Sequence, residues 1–341
     1  TDIEYEYDIY NITVNYDLGF AALVSSGSQY EVENFITSQT ATLPLASISG
    51  AVLYNYTPDI SRTAEGFTQE FRLVGNGETV EWSVGGFYSD VDTLNSSTGQ
   101  EGYVNFENGT QLALPDNDAF IAVGTSESIA VYADLSYHIN DLFTLSVGSR
   151  YFEDERTEAN INYGQDDEAE FDNVSSRIAL SYAPTDQTTF YVSVSEGFRS
   201  GGFNFASDID YEPESLRAYE LGVKSMLLDG RFNAELAIFH SDYTDYQASS
   251  VDLDVSPNGF ISNPGEAEIQ GVDWVTLLRV SEQFSIGFSG NIMSTELTEV
   301  DPNDTTYNKG DPLFLIPDYS YSLTADYTFN WSSSTLGFAH F

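Results

Sequence analysis

Apolar and polar residues alternate, one by one, along strand-length segments of this chain. One segment is 129–137, in which the apolar positions are Ile129, Val131, Ala133, Leu135 and Tyr137. The alternation recurs over 143–151 and 232–239. Because successive side chains of a β-strand point to opposite faces, each segment is predicted to be a strand with one apolar face and one polar face. Such strands suit a wall between hydrocarbon and a water-filled lumen.

Short turns alternate strictly with long connections between these segments. The turns contain hairpin-forming residues such as Asn, Asp, Gly or Pro, and we place them at 16–19, 75–78, 139–141, 184–187, 228–231, 281–283 and 330–334. Long connections are predicted at 34–65, 91–126, 157–173, 200–214, 247–266 and 298–316. Outer-membrane barrels have short periplasmic turns and longer extracellular loops. The chain is therefore predicted to be all-β, as the antiparallel wall of a transmembrane β-barrel with about 14 strands.

The composition excludes several classes of partner and site. The formal net charge is −43, with 11 Lys and Arg among 341 residues. This charge opposes approach to phosphate, so we exclude nucleic acid as a partner. The chain has no cysteine, which excludes disulfides and thiolate metal sites. No segment has the roughly 18 uncharged apolar residues of a membrane-spanning helix, and the mean hydropathy is −0.24.

Carboxylates crowd three of the predicted loops. They are Asp166, Asp167, Glu168, Glu170 and Asp172 in the first, Asp208, Asp210, Glu212 and Glu214 in the second, and Asp301, Asp304 and Asp311 in the third. Their spacing does not follow the EF-hand pattern, so a solvated acidic surface is favoured over calcium binding. Divalent bridging to anionic lipid headgroups is a third interpretation of the same residues.

Several segments, taken in order, are similar to one known family. They are Phe67-Thr-Gln-Glu-Phe-Arg-Leu73, Trp82-Ser-Val-Gly-Gly-Phe-Tyr88, Glu196-Gly-Phe-Arg-Ser-Gly-Gly-Phe-Asn204, Tyr211-Glu-Pro-Glu214 with Tyr219-Glu-Leu-Gly-Val-Lys224, and Asn263-Pro-Gly-Glu-Ala-Glu-Ile-Gln-Gly-Val-Asp273. Together they resemble TonB-dependent outer-membrane receptors over nearly the whole chain.

This resemblance implies an outer-membrane protein of a Gram-negative bacterium that takes up a scarce nutrient. Receptors of this family have a barrel of about 22 strands around a plug. The resemblance identifies residues 1–341 as a partial barrel domain of about 14 of these strands, with the plug domain absent. Its open edges are expected to prevent the fragment from inserting alone. The implied partners are outer-membrane lipid, the TonB energy-coupling complex through the plug, and an iron chelate or another small-molecule ligand.

Enzyme chemistry is not predicted. His138, His240 and His340 lie far apart on different predicted strands, so they form neither a metal site nor a Ser-His-Asp arrangement. His240 continues an apolar strand face, and we interpret it as an interfacial side chain. We therefore predict no catalytic residue, no metal site and no cofactor.

Basic residues on the polar strand faces are candidates for lumen contacts. Glu70 is expected to pair with Arg72, and Glu220 with Lys224, along their own strands. These four residues and Arg150 are predicted to form ion pairs in the lumen or with the plug, because uncompensated charges in hydrocarbon would be costly.

The glycine-rich segment near 201 provides the candidate ligand site. Arg199 leads into this aromatic segment, where a vestibule could bind an anionic, ring-bearing ligand. The candidate substrate-binding residues are Arg199, Phe203, Phe205 and Tyr191. A structural loop base is the alternative interpretation of Arg199.

Other functions stay open at this point. The resemblance favours a ferric siderophore as cargo, whereas carbohydrate and vitamin B12 are alternatives. A secreted or surface-exposed structural β-protein, with a solenoid or sandwich fold, is the hypothesis from a different class, and a passive porin is disfavoured by the resemblance.

Overall fold

The computed structural model describes residues 2–37, 41–45, 52–105, 111–113, 117–162, 164–204, 210–252, 256–302, 304, 306–332 and 335–340. All regular elements in these ranges are strands: β1 (Asp2–Asp17), β2 (Ala22–Thr37), β3 (Ala41–Leu45), β4 (Val52–Asn76), β5 (Val80–Asn105), β6 (Gln111–Ala113), β7 (Asn117–Asn140), β8 (Phe143–Asn160), β9 (Gln165–Thr185), β10 (Thr188–Arg199), β11 (Glu214–Leu227), β12 (Phe232–Asp252), β13 (Ser256–Arg279), β14 (Phe284–Val300), β15 (Tyr319–Ser332) and β16 (Thr335–His340). In the same ranges, we find no helix that is long and apolar enough to cross a membrane.

The strands form one antiparallel sheet in chain order. The order is β1-β2-β4-β5-β7-β8-β9-β10-β11-β12-β13-β14-β15-β16, while β3 pairs with β4 and β6 pairs with β5. The prediction of an all-β antiparallel wall with about 14 strands is confirmed. Over the described residues, β1 and β16 are the two ends of this order and do not pair with each other.

The apolar face of the sheet is the exposed face. On β7, Ile129, Val131, Leu135 and Tyr137 are all exposed, whereas the polar positions between them are more covered. A soluble sheet would bury the apolar face instead. The reversed pattern is that of a barrel wall with lipid outside and polar residues inside. We call the face with the apolar residues the outer face and the opposite face the inner face.

Six of the seven predicted short turns lie at junctions between consecutive strands, and the seventh, 330–334, includes residues 333 and 334, which lie outside the described residues. For example, β1 ends at Asp17 and β2 begins at Ala22, and β7 ends at Asn140 and β8 begins at Phe143. The Asn140 side chain accepts hydrogen bonds from the backbone N–H groups of Leu142 and Phe143, at 2.9 and 3.0 Å. Such a side chain replaces a backbone acceptor and closes the turn, which explains why Asn marks it.

The long connections differ from the prediction, because most of their residues continue the strands. The predicted loop 157–173 is an extended hairpin, in which β8 continues to Asn160 and β9 starts at Gln165. Antiparallel pairing saturates backbone hydrogen bonds as well above the membrane as within it, so the ladder need not stop at the lipid boundary. Residues 200–213 and 301–318 are the connections in which little regular strand is described.

Three tyrosine side chains on the inner face cover glycines on neighbouring strands. The directly opposed pairs are Tyr30 with Gly66, Gly85 with Tyr132, and Tyr191 with Gly222. A Cβ added at any of these glycines would overlap the facing tyrosine ring. The rings thus cover the backbone that glycine leaves bare, a pairing that helps to fix the register of the sheet.

A small apolar core lies at the extracellular end. Ala267 of β13, Leu297 of β14 and Leu313 of the 301–318 connection are buried against one another. Partly buried residues pack around them, namely Tyr243, Tyr246, Ile269, Val300, Tyr307 and Ile316. The Tyr307 hydroxyl donates to the Ser249 carbonyl. These contacts hold the connection against β12, β13 and β14.

Candidate functional site

A recess of about 600 Å³ on the inner face contains three arginines. Arg72, Arg150 and Arg177 line it together with carboxylates of Glu70 and Asp134. The Arg177 Nη2 atom lies 2.6 Å from Asp134 Oδ1, and Arg72 Nη1 lies 3.9 Å from Glu70 Oε1. The structure therefore brings the predicted Glu70 and Arg72 together, and it adds a second pair that the sequence did not single out.

Arg150 differs from the other two arginines in its surroundings. Its guanidinium lies 5.4 Å from the centre of the Phe87 ring and 5.7 Å from that of Phe152, which are cation–π distances. Among the described residues, no carboxylate lies within ion-pair distance of Arg150. Two aromatic faces thus hold this charge in place, and no carboxylate in the described part of the chain forms an ion pair with it.

The other predicted lumen pair is arranged differently from the expectation. Lys224 Nζ lies 3.5 Å from Glu235 Oε2 on the neighbouring strand and 5.9 Å from the centre of the Tyr191 ring. Glu220 is instead hydrogen-bonded by the Tyr191 side chain. Cross-strand neighbours are as close as positions along one strand, and strand spacing alone does not reveal them.

A buried carboxylate fixes the segment that follows β10. Asp154 is 1% exposed, and its Oδ1 atom accepts hydrogen bonds from the hydroxyls of Ser126 and Ser128 at 2.7 and 2.9 Å. Arg156 donates through Nε to Asp154 Oδ2 at 2.6 Å and through Nη1 to the Gly201 carbonyl at 3.1 Å. The carboxylate therefore positions the arginine that holds residue 201.

A second carboxylate anchors the same segment from the other side. Glu214 Oε2 accepts from Arg199 Nη2 at 2.8 Å and from the Gln247 backbone N–H at 2.7 Å. The Gln247 side-chain amide then donates to the carbonyls of Ser200 and Glu212, at 3.0 and 2.9 Å. These bonds tie the ends of the 200–213 connection to β12.

The glycines of this segment allow a close approach of two backbone stretches. Gly202 and Tyr211 exchange backbone hydrogen bonds of 3.0 and 2.9 Å. A Cβ at position 201 would overlap the Tyr211 carbonyl and would lie 2.7 Å from the Phe171 ring. Only glycine fits there without moving the backbone. We call residues 200–204, held by these contacts, the anchored segment.

Two ionisable groups around the anchored segment have shifted pKa values. Both lie beyond the roughly 11 residues of each strand that span a membrane. Burial acts to raise the pKa of Asp154, but hydrogen bonds from Ser126, Arg156 and Ser200 and the charge of Arg156 outweigh it, so the pKa is lowered. The pKa of the Tyr211 hydroxyl is raised, mainly by burial. Asp154 is therefore a charged anchor and Tyr211 a neutral one at pH 7.

The predicted substrate-binding residues do not form one contiguous cluster. Arg199 and Tyr191 lie on the same strand, eight positions apart, which corresponds to about 26 Å. Arg199 is at the extracellular end beside Glu214, and Tyr191 is on the inner wall over Gly222. Phe203 is partly buried in the anchored segment. Phe205 lies outside the described residues.

Sequence reasoning missed Asp154, Arg156 and Gln247. Their roles depend on cross-strand register, which places Asp154 directly opposite Ser128 and Arg156 opposite Ser126. The sequence held one signal for a buried carboxylate at this place, namely Ser126 and Ser128, which lie two positions apart. They share the inner face of β7, and both hydroxyls donate to Asp154.

Comparisons with known proteins agree with this architecture. A protein-family model described as TonB dependent receptor-like, beta-barrel, matches residues 1–340. The pesticin receptor of Yersinia pestis is 26% identical over 206 residues, covering 57% of this chain and 29% of that protein. The metal-pseudopaline receptor CntO of Pseudomonas aeruginosa is 30% identical over 153 residues, covering 45% and 20%.

A solved structure extends the likeness to the fold of nearly the whole chain. The siderophore receptor PiuA of Acinetobacter baumannii matches with a TM-score of 0.74 at 18% identity, over 95% of this chain and 52% of that chain. The chain thus spans about half the length of this receptor, and its matched segments span less than a third of the two curated relatives.

Proposed function

This chain belongs to the TonB-dependent receptor family, as part of the outer-membrane β-barrel, and from that premise we propose that the complete receptor imports a metal chelate. The match of the barrel model from residue 1 to residue 340 carries this proposal. The ligands of two relatives support the cargo class, because one relative is a metal-pseudopaline receptor and the other a siderophore receptor. A ferric siderophore is the cargo that we propose first.

The inner recess offers one positive group to an anionic cargo. Its three arginines are matched by three carboxylates, those of Glu70, Asp134 and Glu196, so its formal charges balance. Arg150 is the one of these arginines with no carboxylate of the described residues within ion-pair distance, so a carboxylate- or catecholate-bearing chelate would be attracted to it.

We assign roles to the predicted residues along this path. Arg199, Phe203 and Phe205 are proposed to contact the chelate in the vestibule, and Tyr191 to contact it further down the inner wall. Glu70, Arg72, Arg150, Glu220 and Lys224 are proposed to face the plug. Arg150 suits this role because its guanidinium lies between two rings, Phe87 and Phe152, and is left available to an incoming anion.

Energy-dependent uptake is the direct test. The gene for the complete receptor would be deleted, and the strain would be supplied with radiolabelled iron bound to a panel of siderophores. We expect deletion of the gene to abolish uptake of one chelate. Removal of TonB or collapse of the proton gradient should abolish uptake of the same chelate to the same extent. Uptake that survives loss of TonB would support a porin instead. If the deletion instead abolished uptake of vitamin B12 or a carbohydrate and left iron uptake intact, that nutrient would replace the metal chelate as the proposed cargo.

A further inference from the structure

A row of directly opposed carboxylates crosses three strands on the outer face. The register places Asp242 of β12 opposite Glu268 of β13, and Glu268 opposite Glu296 of β14. Like charges directly opposite each other destabilise a sheet unless a cation lies between them. The row lies at the extracellular end of an apolar column, since Ile238 and Leu236 precede it on β12 and are exposed.

An imidazole lies within this row. His240 Nε2 is 2.9 Å from Asp242 Oδ1, and His240 Nδ1 is 3.5 Å from Glu268 Oε1. His240, Asp242 and Glu268 each offer one possible ligand atom, and these three atoms lie within 4.8 Å of one another. Within the described part of the chain, this is the one group of three or more His, Asp or Glu side chains that meets this distance.

The nearest arginine does not neutralise these carboxylates. Arg217 is directly opposite Asp242 in the register of β11 and β12. Its Nη2 atom, however, donates to Glu196 Oε1 at 3.0 Å, on the strand at the other side. Asp242 and Glu268 therefore have His240 between them and no arginine bonded to either in the described structure.

We propose that His240, Asp242 and Glu268 bind one divalent transition-metal ion on the outer wall of the barrel. One imidazole nitrogen and two carboxylate oxygens form a donor set that suits Zn²⁺, Co²⁺ or Ni²⁺, with water completing the coordination. Metal–ligand distances of about 2 Å bring donor atoms to within roughly 4 Å of one another. The carboxylates are partly exposed, so rotation of their side chains covers the remaining distance.

The location separates this site from the transport path. His240 also borders an apolar groove of about 270 Å³ on the outer face, lined by Val192, Val194, Leu221 and Ile238. These residues face lipid, whereas the cargo passes through the lumen. A bound divalent cation would offset two of the three negative charges of the carboxylate row, where the wall meets the polar surface of the membrane. The site is thus independent of the cargo proposed above.

Cobalt binding to the complete receptor in detergent tests the proposal. The metal-stripped receptor would be titrated with Co²⁺ alone, followed by visible absorption and by calorimetry, and Zn²⁺ would then be added as competitor. We expect one saturable Co²⁺ site that Zn²⁺ displaces, and at least about tenfold weaker binding in each of H240A, D242N and E268Q. Heat-modifiable gel mobility would verify that each variant is folded.

The chain offers a matched control. His340 Nδ1 lies 2.6 Å from Asp326 Oδ1, and no second carboxylate is within ion-pair distance of this histidine in the described structure. H340A should leave Co²⁺ binding unchanged. Absence of saturable binding in the wild-type receptor, or binding that H240A retains in full, would overturn the proposal. Neither measurement uses a chelate, so the result does not depend on the import function.

Discussion

Arg156 and Asp154 lie two positions apart on β8 and share one face, where the arginine Nε atom donates to the buried carboxylate at 2.6 Å. The same guanidinium donates to the carbonyl of Gly201, which is 45 positions further along the chain. This ion pair thus links strand β8 to the anchored segment. The segment contains Phe203, one of the proposed ligand contacts, so this pair is expected to affect the geometry of the proposed vestibule.

Replacing Asp154 with Asn should loosen the anchored segment. The amide keeps the shape but loses the charge, and its one carbonyl oxygen cannot accept from both Arg156 and the two serine hydroxyls. The Arg156 side chain is 35% exposed, so water screens part of the lost interaction and the cost is about 1–2 kcal/mol. We expect faster hydrogen exchange over 200–204, measured by mass spectrometry on the complete receptor in detergent.

The adjacent carboxylate is the control for this experiment. Glu155 is exposed on the outer face, so E155Q removes the same charge without touching the pair. Its exchange pattern should match the wild type. Equal protection of 200–204 in D154N and the wild type would show that the ion pair does not hold the segment.

Acidification should release the same segment. The folded-state pKa of Asp154 is lowered from 3.8, so its contribution to stability is complete above the unfolded value and disappears as the pH falls through the folded value. We expect protection of 200–204, corrected for intrinsic exchange, to be constant from neutral pH to about pH 5 and to fall below about pH 4. In D154N the decrease contributed by this carboxyl should be absent.

Gly201 should not tolerate a methyl group. In G201A the new Cβ would meet the Tyr211 carbonyl and the Phe171 ring, so the bridge between Gly202 and Tyr211 would have to open. Overpacking of this kind costs about 1–3 kcal/mol. Limited proteolysis of the receptor should cut within 200–213 faster in G201A.

Gly197 is the matched control for that substitution. A Cβ there would lie 3.5 Å from the Leu216 side chain, which is an ordinary van der Waals contact. G197A should therefore be cut at the wild-type rate. If both variants behaved alike, close backbone approach at position 201 would not explain the glycine.

Local patterns were sufficient to predict the barrel wall. The two-residue period of 129–137 and the Asn, Asp, Gly and Pro turns are set by neighbouring residues, so they predicted the strand faces and the six short turns that lie within the described residues. The upper strands were missed because alternating acids such as Asp166, Glu168 and Glu170 were interpreted as a polar loop. They follow the same two-residue period on β9, with carboxylates in place of apolar side chains.

The site was less predictable because it depends on register between strands that are distant in sequence. Arg199 was interpreted as a ligand contact or as the base of a loop, and its partner Glu214 belongs to the next strand. Lys224 was paired with Glu220 along one strand, whereas the register brings it to Glu235. No sequence period encodes which side chains meet across strands, so the structure was needed to identify these partners.

Arg199 should affect cargo affinity beyond its contact with Glu214. R199A would remove the charge-assisted hydrogen bond that we propose between Arg199 and the chelate, and we expect the apparent KM for uptake to rise about tenfold. E214Q tests the alternative of a purely structural loop base. The R199A/E214Q double variant should have a higher KM than E214Q alone, and equal values would assign Arg199 to the loop. R231A, at a short turn, should be unchanged.

We expect burial of the Leu313 side chain to hold the 301–318 connection against the inner wall. It is 4% exposed and packs on Ala267 and Leu297, so L313A creates a cavity that costs about 2–4 kcal/mol. We expect faster hydrogen exchange over 306–318. Leu315 is the control, because it is 84% exposed and has a φ of 61°, which disfavours leucine. L315G should keep or increase protection, and a loss equal to that of L313A would mean that burial of Leu313 is not what holds the connection.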